Sequence, residues 1–252
     1  METQADPIER YAGSLAGRVG FVTGAGSGIG RAVTIALARA GADVAVTGRR
    51  PGPLSDTVAM VEARGRRALA LPGDVADPEA VGDAAARTVA ELGPVSIAVA
   101  NAGVDAWGDL DQLTSEMLRK ALATNAEGVA NVARALVPAM RERGYGKLIV
   151  VASDNGRRAE AGGGAYVASK FAAVGLALSL SQELYGSGVA VHVIEPGCVD
   201  TEWYPSEEDA PRERMLRADD VALTALFLAT LPPNVILEEI LLLPRGMLVE
   251  PW

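Results

Sequence analysis

The stretch Val19-Gly20-Phe21-Val22-Thr23-Gly24-Ala25-Gly26-Ser27-Gly28-Ile29-Gly30 decides the fold. It begins as an apolar run, continues with a glycine at every second position from Gly24 to Gly30, and leads into residues 31–40, whose apolar spacing is that of a helix. Glycines between a strand and a helix let the backbone turn tightly and approach a phosphate group at the positive helix N-terminus. The spacing, T-G-x-x-x-G-x-G, departs from the G-x-G-x-x-G template at Ile29, and a turn that serves packing alone is the alternative interpretation.

The rest of the chain alternates strand and helix patterns. Strand patterns occupy residues 43–47, 68–71, 95–100, 147–152, 189–194 and 235–243. One helical pattern follows the second strand and ends at about residue 64, and the others occupy residues 78–92, 110–143, 166–185 and 219–230. Apolar strands alternating with helices are typical of a parallel sheet covered on both faces. We therefore predict an α/β fold: a Rossmann-type, doubly wound parallel sheet of about seven strands with helices on both faces. It forms a single domain at residues 18–252, which follows an N-terminal arm at residues 1–17.

The composition limits the classes of function. The chain has 252 residues, 49% hydrophobic and 22% charged, which suits one large domain. A net charge of −9 argues against nucleic acid as a partner. The N-terminus lacks the basic and apolar regions of a signal peptide, and no apolar run approaches the ~18 residues that span a bilayer, so we expect a cytoplasmic protein without a membrane partner. One cysteine, Cys198, excludes an intrachain disulfide, and one histidine, His192, excludes a multi-histidine site, so no metal is expected.

Tyr166 and Lys170 stand four positions apart at the start of a long helical pattern. Residues at that spacing share one helix face, and a neighbouring cation lowers the pKa of a phenol, which is about 10 in a free tyrosine. The pair can therefore donate and accept a proton. A tyrosine and a lysine at helical spacing also occur often for structural reasons, so the interpretation needs support from the rest of the chain.

That support is a series of motifs, through which residues 18–243 resemble the short-chain dehydrogenase/reductase family. The matching residues are the turn from Thr23 to Gly30, Asp74-Val75, Asn101-Ala102-Gly103, Asn125, Ser153, the pair Tyr166 and Lys170, and Pro196-Gly197 with Thr201. Ala100 replaces the first asparagine of the family's N-N-A-G element. The segment Ile194-Glu195-Pro196-Gly197 and the C-terminal residues resemble the branch of NADP-dependent 3-hydroxy acid dehydrogenases.

The resemblance implies a catalytic set of Asn125, Ser153, Tyr166 and Lys170. In that set, Tyr166 exchanges a proton with the substrate oxygen as hydride passes to or from a nicotinamide. Ser153 holds the same oxygen, and Lys170 lowers the pKa of Tyr166 and binds the nicotinamide ribose. Asn125 kinks its helix and holds a water that links Lys170 to solvent. The residues alone leave two alternatives open, a strand-end hydroxyl for Ser153 and a helix-interior amide bonded to the backbone for Asn125.

The implied cofactor is a nicotinamide dinucleotide, with NADP (NADPH) favoured over NAD. A carboxylate at the end of the second strand would bind the ribose 2′-hydroxyl of NAD, but Arg49 and Arg50 stand there, and basic residues accept the 2′-phosphate of NADP. A solvated turn is the alternative for these arginines. The implied cofactor-binding residues are Thr23, Gly24, Ser27, Gly28, Ile29, Gly30, Arg49, Arg50, Asp74, Val75, Asn101, Ala102, Gly103, Tyr166, Lys170, Pro196, Gly197, Val199 and Thr201.

A loop at about residues 198–216 is expected to set the substrate. Its aromatic residues and Trp107 either wall a pocket for a bulky ketone or anchor the loop to the domain, and Arg157 and Arg158 are the available partners for a substrate carboxylate. The expected substrate-binding residues are Ser153, Asn155, Tyr166, Trp203 and Tyr204.

The sequence thus predicts an NADP(H)-dependent oxidoreductase that interconverts a ketone and a secondary alcohol. An NAD-dependent alcohol or hydroxy acid dehydrogenase is the alternative within the enzymes, and a non-catalytic nucleotide-sensing protein is the alternative outside them. The resemblance also implies a homo-oligomer, a tetramer or a dimer, with the long helices and the last strand at its interfaces.

Overall fold

The computed structural model of the chain describes residues 6–204 and 212–245. The strands are β1 (Val19–Thr23), β2 (Asp43–Gly48), β3 (Ala68–Pro72), β4 (Ile97–Ala100), β5 (Gly146–Val151), β6 (Val189–Pro196), β7 (Val199–Asp200), β8 (Leu216–Arg217) and β9 (Glu239–Leu242). The helices are α1 (Gly28–Arg39), α2 (Pro51–Glu62), α3 (Pro78–Glu91), α4 (Ser115–Leu122), α5 (Gly128–Glu142), α6 (Gly164–Glu183) and α7 (Ala218–Thr230). Short 3-10 turns occupy Glu9–Tyr11, Asp154–Gly156 and Arg212–Arg214, and one π-helical turn occupies Ala123–Glu127.

Seven of the strands form one parallel sheet in the order β3-β2-β1-β4-β5-β6-β9. The order reverses at β1, which pairs with β2 on one side and with β4 on the other through Gly20 and Ile97. Both faces carry a core, because side chains of β1 alternate between one buried cluster that includes Phe21 and another that includes Val22. The predicted doubly wound sheet of one domain is confirmed.

The long helical region predicted at residues 110–143 consists of two helices joined at a π-helical turn. Helix α4 starts only at Ser115, because the Thr114 hydroxyl caps it by accepting from the Met117 amide at 3.1 Å. The π-helical turn Ala123–Glu127 then separates α4 from α5. Such a turn places one extra residue in the helix, and Asn125 lies at its centre.

The described part of the N-terminal arm packs against the domain. Ile8 and Leu15 are buried in the core on the α1 side, and the Leu15 amide donates to the Ala40 carbonyl at 2.8 Å. Asp6 forms a salt bridge of 2.7 Å with Arg39 of α1. Residues 1–5 of the predicted arm lie outside the described residues.

The predicted substrate loop begins and ends as a small parallel ladder in which β7 pairs with β8. Arg212 ties the two ends of the loop together, because its guanidinium forms a salt bridge with Asp200 and donates to the Tyr204 carbonyl at 2.9 Å. Residues 205–211 of the loop lie outside the described residues. The described ends of the loop are thus held against the carboxyl end of β6.

Helix α6 is the one helix in the described ranges that is long and apolar enough to cross a membrane by length and composition, with 20 residues and a mean hydropathy of 1.3. The sequence analysis overlooked it, because no uninterrupted apolar run extends through Lys170. The helix packs against the sheet and buries Ala173 and Ala177 there, and core helices of soluble proteins meet the same two criteria. Its length and composition are therefore those of a buried core helix as much as those of a membrane span.

Candidate active site

A cleft of about 1160 Å³ opens at the carboxyl ends of the strands, where the sheet order reverses between β1 and β4. Every cofactor-binding and substrate-binding residue predicted from the sequence lies in its walls, together with Ser153, Tyr166 and Lys170 of the predicted catalytic set. Asn125 is the exception, because it lies behind the wall at 2% exposure. The structure thus brings the motifs into one place, and the role of each residue stays a prediction.

The glycine turn is fixed by close backbone approaches that exclude side chains. Gly24 has φ +65°, and a Cβ atom there would lie 2.9 Å from the Ala102 Cα. A Cβ atom on Gly30 would lie 2.3 Å from the Gly24 carbonyl oxygen. The Thr23 hydroxyl accepts from the amides of Asn101 and Ala102 at 3.0 Å each, so the ends of β1 and β4 are tied together. The N-terminus of α1 opens into the cleft beside this turn, an arrangement that fits the pyrophosphate of a dinucleotide.

Beyond β2 the cleft wall is basic. Arg49 and Arg50 are exposed there, and the Arg50 guanidinium donates to the Ser27 hydroxyl at 3.4 Å, so the end of β2 and the glycine turn share one polar surface. No carboxylate occurs among the wall residues from Gly48 to Leu54. This part of the cleft fits a phosphorylated ribose.

Asp74 and Val75 line the cleft after β3 and are held from helix α5. The Asn131 side-chain amide donates to the Val75 carbonyl at 3.0 Å, and a Cβ atom on Gly128 would approach the Val75 side chain to 2.8 Å. The Asp74 carboxylate accepts from the Ala76 amide at 3.0 Å, which sets its orientation. This segment, which the sequence predicts to bind the cofactor, is thus a fixed part of the wall.

Ser153 and Tyr166 meet across the cleft. Ser153 follows β5 at its carboxyl end, and its hydroxyl donates to Asp154 Oδ1 at 3.2 Å and accepts from the Asn155 amide at 3.2 Å. The Tyr166 phenol, in the first turn of α6, lies near enough to this hydroxyl for Ser153 to lower its pKa. Lys170 lies one turn further along that helix, with Nζ 5.6 Å from the centroid of the Tyr166 ring.

The electrostatics of this pair differ from the sequence-based expectation. Burial raises the pKa of Tyr166, and the carboxylates of Asp105 and Asp154 raise it further, although the nearby Ser153 side chain lowers it. Burial lowers the pKa of Lys170 to about 8. The expected lowering of the Tyr166 pKa by Lys170 is thus outweighed in this structure by desolvation and by acidic neighbours. Tyr166 is a protonated phenol at neutral pH.

Asn125 acts as a clamp on the segment after β4. Its side-chain oxygen accepts from the Val104 amide at 2.8 Å, and its nitrogen donates to the Val104 carbonyl at 3.0 Å and to the Ser169 hydroxyl at 2.8 Å. A Cβ atom on Gly103 would lie 3.4 Å from Asn125 Oδ1 and 3.6 Å from Lys170 Nζ. The Asn125 side-chain amide is thus bonded to the backbone, as the alternative interpretation held. Gly103 lies between this amide and Lys170.

The substrate end of the cleft is aromatic and acidic. Tyr166 lies between two indoles, with ring centroids 5.7 Å from Trp107 and 6.0 Å from Trp203. Tyr204 and Cys198 also line the cleft. The sequence analysis missed the acidic residues of this end, which are Asp105, Asp154 and Glu160. Their side chains reach the cleft through the paths of two loops, for which the sequence contains no signal.

The two arginines predicted as partners for a substrate carboxylate, Arg157 and Arg158, both lie outside the cleft wall. Arg157 donates to Glu195 at 2.7 Å and pairs with Glu239 of β9, and it does not line the cleft. Arg158 does not line the cleft either, although it lies close enough to lower the pKa of Asp154. The alternative of a hydroxy acid substrate therefore has no basic side chain to bind its carboxylate among the described residues of the substrate end.

The fold and the cleft are those of a dinucleotide-dependent oxidoreductase. A glycine turn lies at the point where the strand order reverses, and Ser153, Tyr166 and Lys170 line the same cleft.

Known proteins agree with this class. The sequence model of the short chain dehydrogenase family matches residues 18–211. An NAD-dependent oxidoreductase of Mycobacterium tuberculosis is 41% identical over 203 residues, which are 75% of this chain and 74% of that protein. A glycine betaine reductase of Emericella nidulans is 34% identical over 97% of this chain, which spans only 20% of that larger protein. An alcohol dehydrogenase from Thermococcus sibiricus, solved with 5-hydroxy-NADP, superposes with a TM-score of 0.84 at 30% identity, over 91% of this chain and 97% of its own.

The chain therefore belongs to the short-chain dehydrogenase/reductase family, and it is an oxidoreductase that acts on CH–OH groups with a nicotinamide cofactor. The relatives include proteins named for NAD and for NADP, so both dinucleotides occur among them. The specific branch of 3-hydroxy acid dehydrogenases stays a prediction.

Proposed function

We propose that the protein is an NADP(H)-dependent oxidoreductase that interconverts a ketone and a secondary alcohol. The observation that carries the proposal is that Ser153, Tyr166 and Lys170 line the same dinucleotide-sized cleft as the glycine turn. The Tyr166 phenol can donate its proton toward a carbonyl oxygen, and the Ser153 hydroxyl can do so when its proton turns from Asp154 to that oxygen.

The residues divide the chemistry among them. Tyr166 holds the proton that a carbonyl oxygen needs on reduction, because its raised pKa keeps the phenol protonated at neutral pH. Ser153 orients that oxygen and stabilises the charge that develops on it. Lys170 binds the nicotinamide ribose and supplies positive charge to Tyr166. Asn125 holds the segment after β4 in place. The bound dinucleotide supplies or accepts the hydride.

The preference for NADP rests on the basic wall after β2. Arg49 and Arg50 face the cleft where a 2′-phosphate would bind, and arginine binds phosphate oxygens with strong, charge-assisted hydrogen bonds. The absence of a carboxylate from the wall residues Gly48 to Leu54 supports the same choice, because NAD-binding sites place one there. NAD is the alternative cofactor, with oxidation of an alcohol as the working direction.

The test is a coenzyme-consumption assay with NADPH and NADH against aryl ketones, 3-keto acids and cyclic diketones. We expect NADPH to be consumed with at least one ketone, and Tyr166→Phe to lose about 10² to 10⁴ of the rate while it still binds NADPH. Tyr185→Phe is the matched control, because Tyr185 is exposed and lies outside the cleft. Full activity in Tyr166→Phe would refute the catalytic assignment. Binding of NADPH without reduction of any ketone would favour a nucleotide-sensing protein.

We also propose that the protein acts in the cytoplasm as a homo-oligomer, a dimer or a tetramer, without nucleic acid or membrane as a partner. An apolar groove runs between α5 and α6 and is lined by Ala133, Val137, Leu176 and Leu180, and Phe227 of α7 is exposed. Apolar surfaces of this kind are typical of subunit interfaces. Light scattering should give a mass of two or four times the 26.0 kDa chain, and a monomer at micromolar concentration would contradict the proposal.

A further inference from the structure

Three aromatic rings form one surface at the substrate end of the cleft. The Trp107 and Tyr166 rings stack with an interplanar angle of 29°, and the Trp203 ring meets Tyr166 at 57°. Both indoles keep free area, with 37% of Trp107 and 39% of Trp203 exposed, whereas Tyr166 between them is 9% exposed. The free faces of two tryptophans therefore flank the phenol that transfers the proton.

Trp107 is held in this position by the backbone. Its indole lies against Gly163, where a Cβ atom would come within 2.9 Å of the ring, and the Gly108 amide donates to the Gly162 carbonyl at 2.8 Å. A ring fixed in this way loses little conformational freedom when a ligand covers it. This indole is thus a preformed part of the wall.

The charges around these rings are negative. Asp105 and Glu160 line the cleft from exposed positions, and Asp154 lines it at 5% exposure. The basic residues in the walls are Arg49 and Arg50, at the β2 end, and Lys170, which lies beneath Tyr166. The effect of the acids extends across the site, since Asp105 and Asp154 raise the pKa of Tyr166, and Asp154 and Glu160 raise the pKa of Cys198.

We propose that the substrate carries an alkylated ammonium group, which binds on the free faces of Trp107 and Trp203 beside Asp105 while its carbonyl or hydroxyl group meets Ser153 and Tyr166. Indole is the aromatic ring that binds organic cations best, and nearby carboxylates add to the attraction. A carboxylate substrate would meet repulsion at the same place. This inference rests on the proposed function and names the substrate class of the same site.

The reaction balances as an ordinary carbonyl reduction. The carbonyl carbon gains a hydride from NADPH, which becomes NADP⁺, and the carbonyl oxygen gains the proton of the Tyr166 phenol. Solvent then returns a proton to the phenolate. A cation on the indoles opposes the field of Asp105 and Asp154, and it therefore favours the phenolate that remains after proton transfer. The substrate charge thus assists the step that the acidic wall alone opposes.

The test compares ketones of one shape and different charge. Acetonyltrimethylammonium carries the cation, methyl neopentyl ketone is its neutral isostere, and acetoacetate is an anionic ketone of similar size. With NADPH we expect kcat/KM for the cation to exceed that for the isostere by about tenfold or more, and acetoacetate to be the poorest substrate. Equal values for the cation and the isostere would overturn the inference and leave the proposed function intact.

Variants locate the effect. Trp107→Leu and Asp105→Asn should each reduce the preference for the cation over its isostere by about fivefold, and Trp107→Phe should restore part of it. Asp83→Asn is the matched control, since it removes one negative charge from an exposed position on α3 outside the cleft. A preference that stays unchanged in both Trp107→Leu and Asp105→Asn would overturn the assignment of the site.

A binding measurement separates this inference from the proposed function. Titration of the NADP⁺-loaded protein with acetonyltrimethylammonium should change tryptophan fluorescence, and the isostere should do so only at concentrations about tenfold higher. If the cation binds but neither ketone is reduced, the cation site stands and the oxidoreductase assignment to ketones fails. If the cation and the isostere bind equally, the cation site fails whatever the activity.

Discussion

The indole ring of Trp107 lies directly on the backbone of Gly163, three residues before Tyr166. Because a Cβ atom at Gly163 would lie 2.9 Å from ring carbon Cζ3, the glycine sets how close the aromatic wall comes to Tyr166. The glycine at position 163 thus provides room for an indole.

Gly163→Ala should displace Trp107 and raise the KM for the ketone several-fold, with little effect on the binding of NADPH. Steady-state kinetics and dinucleotide titration check this expectation. Gly82→Ala is the matched control, because no atom lies within 4 Å of its added Cβ in helix α3, and it should stabilise the protein by about 1 kcal/mol. A KM that does not change in Gly163→Ala would show that Trp107 has no part in substrate binding.

Removal of the Asn125 clamp should destabilise the protein as well as slow it. Asn125→Ala leaves the buried amide and carbonyl of Val104 without their side-chain partners, and the expected cost is about 2 kcal/mol in the free energy of unfolding. Urea denaturation measures this cost. Asn234→Ala, at an exposed position, should change the free energy by less than about 0.5 kcal/mol. Equal stabilities of the two variants would contradict the clamp.

Arg49→Asp should move the coenzyme preference toward NADH. The substitution removes a cation from the wall that faces the 2′-phosphate and adds a carboxylate that can bind a ribose hydroxyl. The ratio of kcat/KM for NADPH to that for NADH should fall by about tenfold to a hundredfold. Arg64→Asp makes the same charge change at an exposed position outside the cleft and serves as control. If both variants give the wild-type ratio, Arg49 does not select the coenzyme.

His192 should make the protein less stable at acidic pH. It is the single histidine of the chain, it is 0% exposed, and its Nδ1 lies 2.9 Å from the Leu237 carbonyl. Burial lowers the pKa of His192 to about 4, whereas an unfolded histidine titrates near 6.5. Below about pH 6.5 the His192 imidazole is therefore protonated in the unfolded chain but stays neutral in the folded protein. The free energy of unfolding present above that pH thus decreases as the pH falls toward 4.

Between pH 7.5 and pH 5 the size of this effect is on the order of 2 kcal/mol. Urea denaturation at pH 7.5 and pH 5 measures it, with His192→Asn as the comparison, because asparagine retains a donor for the Leu237 carbonyl but does not titrate. Buried carboxylates contribute equally to both proteins and cancel in the difference. The same pH dependence in wild type and variant would show that His192 is not the responsible group.

The sheet, the glycine turn and the place of Tyr166 and Lys170 in the cleft could be predicted from the sequence because each leaves a local pattern. Apolar strands, a glycine at every second position and a tyrosine four residues before a lysine are visible without any knowledge of distant contacts. The acidic wall left no such pattern, because Asp105 and Asp154 enter the cleft only through the path of the segments after β4 and β5. The raised pKa of Tyr166 escaped prediction for the same reason, since it depends on burial and on those two carboxylates.

The pairing of Gly20 with Ile97 has a consequence for folding. Strand β1 pairs with β2 across a single helix, whereas two further strands and two further helices separate β1 from β4 in the chain. Closing so long a loop is slow. A growing chain that has reached β3 carries the phosphate-binding turn but none of the groups that react with substrate. Recovery of activity after denaturation should therefore follow the joining of the two halves of the sheet, and the return of helical structure should precede it.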